Sequence, residues 1–579
     1  MKNIIKKITI LSAASLMMMS CSDFLDVDPL DSFSEKVVFG NLETINGYVM
    51  QRYTNMKDPL DRYALRFACD EAWNNFNWYG QNGIQWGYMS PDYEGGCGSW
   101  FDYYPAIQNC NLFLDQIPQM ETLKTNDNST KLIEQYIGEV TFLRAFYYAD
   151  LISRYGGVPL SKTAFKLGMS DDEMYIARDS YDDCVTFVTD ELSKAAAALP
   201  VKYEDKYLGR ATKGAALALK ARVLLYAASE LHNPGNANPS KWLAAKKAIE
   251  DVIFLNEDGT SDKNKGSKLY ALDPDYAGLF KNPLSKEIIF EKVFSSEYGH
   301  FFDQYNSPNG FTGWSETCIN QGLVDDYEIA STGEIPNKET LYGNSTYGKE
   351  YEIGETPWDG RDPRFYATIG CDGQQWKGRE IEFYIYKNGG GGKDSSKGGV
   401  EEWNASKTGF YLRKFMTDNL KVSFNDKSTV PWIYFRLGEM YLNYAEALYH
   451  TGDETGAQEY LEKIRNRARG GNPNILPKIT TTGEELMKAI QHERRIELAF
   501  EEHRFFDVRR WKIASVEETK GIWGVNVFKD KDSGKKSYKI QKLTDTYFNE
   551  ANYYFAIPNS ERQKNGKLDQ NSGYAGAAN

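Results

Sequence analysis

The sequence predicts a mostly α-helical protein with tetratricopeptide-like helix pairs towards both ends and a loop-rich middle with a few short strands. Apolar residues recur every three or four positions from 131 to 155 and again from 436 to 468, which is the period of a helix with one buried face. Residues 256–430 lack this period and are rich in Gly, Asn and Tyr. We therefore expect a helical scaffold that carries an irregular surface.

The N-terminal helical part, about residues 36–255, contains three strong helical segments. Gly156 and Gly157 favour the end of the first segment, because glycine readily adopts the backbone conformation that closes a helix. Thr212 is placed to cap the second segment, since its hydroxyl can accept a hydrogen bond from a free N–H group of the first turn. The predicted helices are 131–155, 213–228 and one capped by Ser240 that ends near Phe254.

The C-terminal helical part, about residues 431–579, begins with two helices separated by a turn at Gly452 and Asp453. Thr482 and Glu485 then form the pattern of a capping box before a third helix, HERRIELAFEEHRFF. Small and large packing residues are arranged around the first turn as in a tetratricopeptide helix pair: Ala445, Leu448, Gly452, Ala457 and Leu461.

The segment ERRIELAFEEHRFFDVRRW is dense in acids and arginines and contains one histidine, so it resembles a catalytic site at first sight. On a helix, however, residues four apart such as Glu493 and Glu497 share a face, and charged and apolar faces separate. We therefore expect structural ion pairs. Four side chains are expected to form a buried network that holds the last helices together: Arg504, Asp507, Arg509 and Arg510.

Two irregular stretches interrupt the helical pattern, one at residues 70–98 and the other in the middle, residues 256–430. The middle contains short β-prone runs such as EIEFYIY. It also contains NGGGGKDSSKGG at 388–399, whose composition predicts a flexible loop. Long irregular stretches in a compact domain are often functional, which directs attention to both regions.

A short, mostly apolar run at residues 8–19 follows three lysines and precedes Cys21. The run is shorter than the roughly 20 residues of a membrane span and fits a secretion signal. Residues 1–20 are predicted to be a lipoprotein signal peptide, Cys21 the acylated residue and 21–35 a lipid-anchored tether. The alternative is an ordinary signal cut at Ser20, which would leave a lone thiol at the mature N-terminus. Residues 36–579 are predicted to form a single domain.

Composition and motifs argue against several classes of function. A formal charge of −13 argues against a nucleic-acid partner, because phosphate binding needs a basic face. The cysteines after Cys21 have no C-x-x-C spacing and are expected to be mostly buried thiols, and the five histidines have no H-E-x-x-H spacing. We therefore expect no metal and no cofactor. The chain has no G-x-S-x-G motif, and GNSTYGKE lacks the Ser or Thr that a phosphate loop requires.

Aromatic and amide side chains are concentrated in DEAWNNFNWYGQNGIQWGY (70–88) and SSEYGHFFDQYNSPNGFTGWSET (295–317). The spacing of the rings in 70–88 fits neither a helix nor a strand, so packing in a core explains them poorly. A sugar offers an apolar C–H face and a rim of hydroxyls, which aromatic rings and planar amides match. In the alternative interpretation, which we expect for about half of these rings, they plug the loop against the scaffold.

Five segments in order make the chain similar to the SusD-like (RagB/SusD) family of outer-membrane lipoproteins of Bacteroidetes. The segments are CSDFLDVDP, FLRAFYYADLISRYGGVPL, WDGRDPRF, FRLGEMYLNYAEAL with ERRIELAFEEHRFFDVRRW, and YYFAIPNSERQKNGKLDQNSGY. The resemblance implies a tetratricopeptide-like scaffold with a loop-rich ligand-binding face. It also implies that the protein is not an enzyme, and that it closes as a lid over a SusC-like TonB-dependent transporter at the extracellular side of the outer membrane.

The resemblance places the ligand face on an early loop and on loops of the middle region, where the aromatic stretches lie. We expect a lipoprotein that binds oligo- or polysaccharide and delivers it to the transporter. Three alternatives stay open: an oligopeptide-binding lid of the RagB type, a surface glycoside hydrolase, and a structural helical-repeat scaffold. The candidate glycan-binding residues are Trp73, Asn75, Trp78, Asn82, Trp86, Tyr298 and Trp314.

Within this set, Trp78, Trp86 and Trp314 are expected to converge as a stacking platform for sugar rings. Tyr298 and the amides of Asn75 and Asn82 are expected to fix hydroxyl groups at the rim of that platform.

Overall fold

The computed structural model describes residues 35–60, 64–266, 269–418 and 421–576. The predicted signal peptide, Cys21 and nearly all of the predicted tether lie outside the described residues. Within the described residues, nine helices have at least 12 residues and are labelled in chain order. They are α1 (Leu42–Tyr53), α2 (Trp100–Asp115), α3 (Asp127–Tyr155), α4 (Tyr181–Ala198), α5 (Lys213–Ala228), α6 (Ser240–Ile253), α7 (Leu437–His450), α8 (Glu454–Ala468) and α9 (Gly483–Glu497).

The nine helices form one continuous array. Helices α1 and α2 pack on α3, and α3 to α6 then pack successively on one another. Helix α6 packs directly on α7, although the whole middle region separates the two in sequence. Helix α8 follows α7, and α9 contacts both. The predicted mostly α, tetratricopeptide-like scaffold is therefore confirmed, with the middle region inserted between two neighbouring helices.

The residues at the helix ends agree only in part with the caps predicted from the sequence. Gly156, with φ +74°, ends α3 as predicted, and the Thr212 side chain accepts a hydrogen bond from the Ala215 N–H at 3.2 Å at the start of α5. Pro239 rather than Ser240 occupies the cap position of α6. Thr482 occupies the N-cap position of α9, but its side chain makes no capping hydrogen bond. The predicted capping box is therefore wrong.

Short helices of four to seven residues connect these elements: Glu35–Val38, Gln81–Gln85, Ile117–Glu121, Asp171–Met174, Tyr276–Leu279, Phe302–Asn306, Gln321–Asp326, Lys338–Tyr342, Pro363–Thr368, Arg504–Arg510, Ala514–Glu517 and Asn559–Lys564. Twelve strands occur in the described residues: β1 (Ala72–Asn74), β2 (Ile288–Lys292), β3 (Thr317–Ile319), β4 (Lys349–Tyr351), β5 (Ile369–Cys371), β6 (Gln375–Trp376), β7 (Arg379–Glu380), β8 (Ile385–Tyr386), β9 (Phe410–Leu412), β10 (Trp432–Arg436), β11 (Ile522–Lys529) and β12 (Lys536–Thr544). Most of them are short, as expected.

Antiparallel pairs join parts of the chain that are distant in sequence. β1 pairs with β3, β2 with β10, and β5 with β9. The sequence did not predict the longer hairpin β11–β12, which lies in the part expected to be helical. This hairpin forms a four-stranded sheet with β4 and β8 from the middle region. The C-terminal part therefore supports the irregular middle as well as the helical array.

Most buried apolar residues between Phe39 and Tyr574 form one connected core, and Val508, Ala514 and Tyr553 form a small separate cluster. The six cysteines of the described residues are buried and free, which confirms the expectation of buried thiols. None of the described helices combines the length and the apolar character that crossing a membrane requires.

The charged C-terminal block contributes to a buried network of ion pairs, as predicted. The Arg510 guanidinium donates to Glu446 at 2.6 and 2.7 Å and to Asp507 at 2.8 Å. Arg504 bonds to Asp70 at 2.8 and 2.9 Å, which fastens the early irregular stretch to the last helices. Arg509 pairs with Glu518. These residues therefore have a structural role.

Candidate functional site

Five aromatic rings from four separate segments form a contiguous surface, which we call the aromatic face: Phe76, Trp78, Trp314, Trp403 and Phe424. The rings of Phe76 and Trp78 stack at 4.5 Å with an interplanar angle of 11°. Trp314 contacts Trp78 at 5.2 Å and Phe424 at 5.1 Å, and Trp403 contacts Phe76 at 5.8 Å. The Trp78 side chain is 47% exposed and that of Trp403 is 61% exposed. Such an open aromatic patch marks an interaction site.

The pairing of β1 with β3 brings the first two segments of this face together. Asn74 lies opposite Thr317, and the Asn75 N–H extends the pairing by donating to the Glu316 carbonyl at 2.9 Å. The chain then leaves β1 towards Phe76, beside Trp314. Two stretches that are far apart in sequence therefore meet through a three-residue strand pair.

Asn75 fastens three loops beneath the rings. Its side-chain amide donates to the carbonyls of Trp314, Asn404 and Ala405 at 3.4, 3.3 and 3.2 Å. Because Trp403 precedes Asn404, this one side chain connects the early stretch, the 314 loop and the 403 loop. Asn75 therefore holds the loops that carry the rings. Its side-chain N–H groups are used in hydrogen bonds to protein carbonyls, whereas the sequence predicted that they bind ligand hydroxyls.

Asn82 is a structural residue of the early loop, and its predicted role at a ligand rim does not agree with its surroundings. The side chain is 1% exposed and forms a reciprocal pair of hydrogen bonds with the Asn74 backbone, at 3.0 and 2.8 Å. The Asn74 side chain in turn accepts from the N–H groups of Phe76 and Asn77. This amide network fixes the loop that presents Phe76 and Trp78.

Trp73 and Trp86 form a second group of rings with Tyr88. Trp73 contacts Trp86 at 5.2 Å and Trp86 contacts Tyr88 at 5.8 Å, while the Trp86 indole N–H donates to Thr544 at 3.2 Å. Among the described residues, no ring contact joins this group to the aromatic face. Trp78 and Trp314 of the predicted platform therefore converge, whereas Trp86 belongs to a neighbouring group.

Tyr298 lies in the loop after β2 and is 73% exposed. Its ring makes no contact with another aromatic ring in the part of the chain that the structure describes. The loop is held by two backbone hydrogen bonds between His300 and Ser428, at 3.0 and 2.8 Å. Phe301 then contacts Phe424 at 5.5 Å. Tyr298 is therefore close in sequence to the margin of the aromatic face and free to meet a ligand.

Sequence reasoning missed Trp403 and Phe424, and it assigned no ligand role to Phe76. Trp403 follows the glycine-rich segment 388–399, which was expected to be flexible. The structure folds this segment tightly, because the buried Asp394 carboxylate accepts from Arg379 at 2.7 and 2.9 Å and from the Glu382 N–H at 2.8 Å. A lone tryptophan in the polar, non-periodic run EEWN was the available signal.

Asp70 and Glu71, the two acids that precede β1, lack the features of a catalytic pair. Burial raises the pKa of Glu71 to about 7, but its carboxylate lies in the interior and accepts from the Phe500 N–H at 2.9 Å. Asp70 beside it is held ionised by Arg495 and Arg504, which lower its pKa despite burial. Among the described residues, no cluster of His, Cys, Asp and Glu is arranged to hold a metal ion.

Two family models match the chain, the SusD family over residues 286–574 and the family described as starch-binding associating with outer membrane over residues 23–225. The chain belongs to the SusD-like family, as its sequence segments predicted.

Relatives and solved structures agree with this family. SusD-like protein P38 of Formosa agariphila is 25% identical over 425 residues, which are 71% of this chain and 71% of the relative. A solved SusD-like protein from Bacteroides fragilis is 27% identical and covers 95% of this chain and 100% of its own, with a TM-score of 0.74. A SusD-like carbohydrate binding protein from the same species is 22% identical, covers 92% and 99%, and has a TM-score of 0.71.

Proposed function

We propose that this chain is a cell-surface lipoprotein that binds oligo- or polysaccharide on its aromatic face and delivers it to a SusC-like TonB-dependent outer-membrane transporter. The observation that carries the proposal is the aromatic face itself. Exposed tryptophans are costly in water, and here four loops and an amide network hold them in place. Names of the matched family and of a structural neighbour, which refer to starch and carbohydrate, support the same class of ligand.

Sugar rings suit this surface for physical reasons. The C–H face of a pyranose is flat and weakly apolar, so it packs on an indole ring, while its hydroxyls remain at the edge where they bond to water or polar groups. Trp78 and Trp314 meet almost edge to face, at 78°, which gives the surface a step instead of a plane. The proposal assigns no catalytic step to the protein.

The first prediction concerns single substitutions in the aromatic face. Trp78→Ala and Trp403→Ala should weaken polysaccharide binding by roughly five- to a hundredfold, as expected for the loss of about 1–3 kcal/mol of ring stacking. Their melting temperatures should hardly change, because Trp78 is 47% exposed and Trp403 is 61% exposed, so neither ring is part of the core. Native affinity gels with a panel of polysaccharides identify the ligand, and isothermal titration calorimetry measures the affinities.

Phe101→Ala is the matched control, because Phe101 is an exposed ring on α2 that lies outside the aromatic face. It should bind like the wild type. If Trp78→Ala and Trp403→Ala also bind like the wild type, or if both melt early, the aromatic face is not the ligand site. Incubation with the bound polysaccharide should release no reducing ends, and release that one acid-to-amide substitution abolishes would instead establish a hydrolase.

The second prediction concerns anchoring and partnership. We propose that Cys21 carries the lipid that holds the protein on the outer membrane, facing the extracellular side. Cys21→Ala should leave the protein without acyl chains and absent from the cell surface, whereas Ser22→Ala should change neither property. Mass spectrometry of the mature N-terminus and protease accessibility on intact cells measure the two effects. An unmodified Cys21 in the native mature protein would refute the anchor.

Extraction in mild detergent should recover the lipoprotein with a TonB-dependent transporter. A stable complex of this kind is expected to bury more than about 1,000 Å². Recovery of only the free lipoprotein under several gentle conditions would count against the partnership while leaving the glycan site untouched.

A further inference from the structure

A cavity that lies apart from the aromatic face opens beside the N-terminal helical part. It has a volume of about 230 Å³ and lies between the segment that joins α4 to α5, residues 201–212, and strand β2 with the residues before it. A cavity of about 150 Å³ is enough to hold benzene. The cavity shares no residue with the aromatic face, so it has no part in the proposed binding of glycans.

Glu291 of β2 is one of the residues that line this cavity, and its carboxyl group has no hydrogen-bond partner among the described residues. The residue is 4% exposed, lines the cavity, and its Oε2 is buried with no hydrogen bond. Among the described residues no lysine, arginine or histidine forms an ion pair with it. Burial raises the pKa of Glu291 to about 8. An unpaired buried carboxyl is expensive, and native proteins nearly always give such a group a partner.

Part of the cavity wall is aromatic and apolar. Tyr203, Tyr207 and Phe290 line it, and Leu208 and Leu284 stand exposed at its rim. A small-molecule site usually combines apolar and aromatic walls with a few polar groups, and Glu291 is a buried polar group of this cavity. Here the polar group is an acid and the walls contain π-faces, and both attract cations.

The other charged groups at the cavity do not neutralise Glu291. Arg210 is committed to Glu139, to which it donates at 2.7 Å, and its guanidinium lies 5.8 Å from the Tyr203 ring. Two lysines and two further acids also line the cavity: Lys202, Lys286, Asp205 and Glu257. The formal charges of these four residues balance, which leaves the Glu291 carboxyl as the buried lining group without an ion-pair partner.

We propose that this cavity is a binding site for a small organic cation, an alkylammonium ion whose charged head pairs with the Glu291 carboxylate and whose apolar tail lies among the tyrosine, phenylalanine and leucine side chains. The cation supplies the missing partner of Glu291. A neutral ligand of the same shape would leave the acid protonated and would gain only the apolar contacts.

The protonation of Glu291 provides a direct test with n-butylammonium chloride as the probe and 1-butanol as its neutral counterpart. At pH 7 the free carboxyl is mostly protonated, so pairing with butylammonium must ionise it and release close to one proton. Calorimetry in two buffers of different ionisation enthalpy measures that proton. The apparent affinity should also rise about tenfold from pH 7 to pH 9, as competition by the proton disappears. Butanol should release no proton.

Two variants and a control complete the test. Glu291→Gln should abolish both the butylammonium affinity and the proton release, while its glycan binding stays that of the wild type. Tyr207→Ala, at an exposed ring, should weaken butylammonium binding by about two- to fivefold. Glu257→Gln makes the same chemical change at the rim and should have little effect. The proposal is overturned if neither calorimetry nor thermal shift detects butylammonium at millimolar concentration, or if Glu291→Gln binds it as well as the wild type does.

Discussion

Single arginines connect distant parts of this chain. Arg436 is 1% exposed and donates to three carboxylates, those of Glu287, Glu497 and Glu501, at distances between 2.6 and 2.8 Å. The C-terminal block predicted buried ion pairs, but not their full set of partners. Glu287 comes from the segment before β2, and no sequence pattern announces a partner about 150 residues away. The many charged residues of the C-terminal block therefore predicted buried ion pairs, but only the fold shows which residues pair with one another.

The third prediction follows from Arg436. Arg436→Met keeps most of the side-chain volume but leaves three buried carboxylates short of a partner. The free energy of unfolding should fall by about 3–5 kcal/mol, the usual cost of breaking a buried ion pair from one side. Urea denaturation followed by circular dichroism measures it. Lys488→Ala, which breaks an exposed pair with Glu485, should cause no measurable change. Equal stability of the Arg436 variant and the wild type would mean that the network contributes no net stability.

At the scale of elements, the sequence predicted the long helices, whose apolar residues recur over several turns, and it missed most of the strands. Helices α3, α5, α7 and α8 follow from their apolar spacing, and the turn at Gly452 separates the last two as expected. The strands β1 and β3 have three residues each, too few for a period-two signal. The hairpin β11–β12 did carry such a signal, because Tyr538 and Ile540 alternate with Lys539 and Gln541, and it was overlooked.

The candidate site shows the same limit. The composition of the two irregular stretches predicted where Trp78 and Trp314 would be, and they do converge. It could not separate Trp86 from them, since that separation depends on the hydrogen bond to Thr544 in β12. Nor could composition distinguish an amide that meets a ligand from one that holds a loop. Asn75 and Asn82 are of the second kind.

The fourth prediction tests Asn75 as a positioning residue. Asn75→Ala removes three hydrogen bonds to loop carbonyls and leaves every ring of the aromatic face in the chain. Polysaccharide affinity should fall by about tenfold, because the rings lose their common support, and the free energy of unfolding should fall by about 1–2 kcal/mol. Calorimetry and thermal melting measure the two effects. Asn474→Ala, in an exposed turn, is the matched control and should change neither. Unchanged affinity in Asn75→Ala would show that the loops keep their positions without the Asn75 hydrogen bonds.

At the scale of the whole molecule, the buried acids divide into two groups that respond to pH in opposite ways. Burial would raise the pKa of Glu446 and Glu328, but Arg510 beside the first, and His492 and Arg465 beside the second, lower each pKa to about 2. Their stabilising effect is present above the ordinary glutamate pKa and is lost as the pH falls from about 4.5 to 2. Glu291 and Glu71, with pKa values raised to about 8 and 7, are favourable only when protonated. Their effect is lost as the pH rises from about 4.5 to 8.

The fifth prediction uses this division. Wild-type stability should decline on both sides of a maximum near pH 5, and Glu291→Gln should remove part of the decline on the alkaline side. A shift of about 3.5 pKa units corresponds to a free energy on the order of 4–5 kcal/mol at pH 9. Urea denaturation at a series of pH values measures the difference between the two proteins. Glu257→Gln should follow the wild-type curve. Parallel curves for wild type and Glu291→Gln would show that the carboxyl is ionised in the folded protein at neutral pH.

The contact between α6 and α7 has a consequence for how specificity can be exchanged between relatives. The middle region leaves the helical array after α6 and returns to it at α7, so it resembles an inserted domain. Strand β1, however, lies outside this insertion and pairs with β3 inside it. A transplant of residues 256–430 alone would therefore carry only three of the five rings of the aromatic face, and β3 would have to pair with the β1 strand of the recipient protein. Residues 70–88 have to move with it, and so does the hairpin β11–β12, which pairs with β4 and β8 of the middle region. Three segments that are distant in sequence therefore have to be exchanged together.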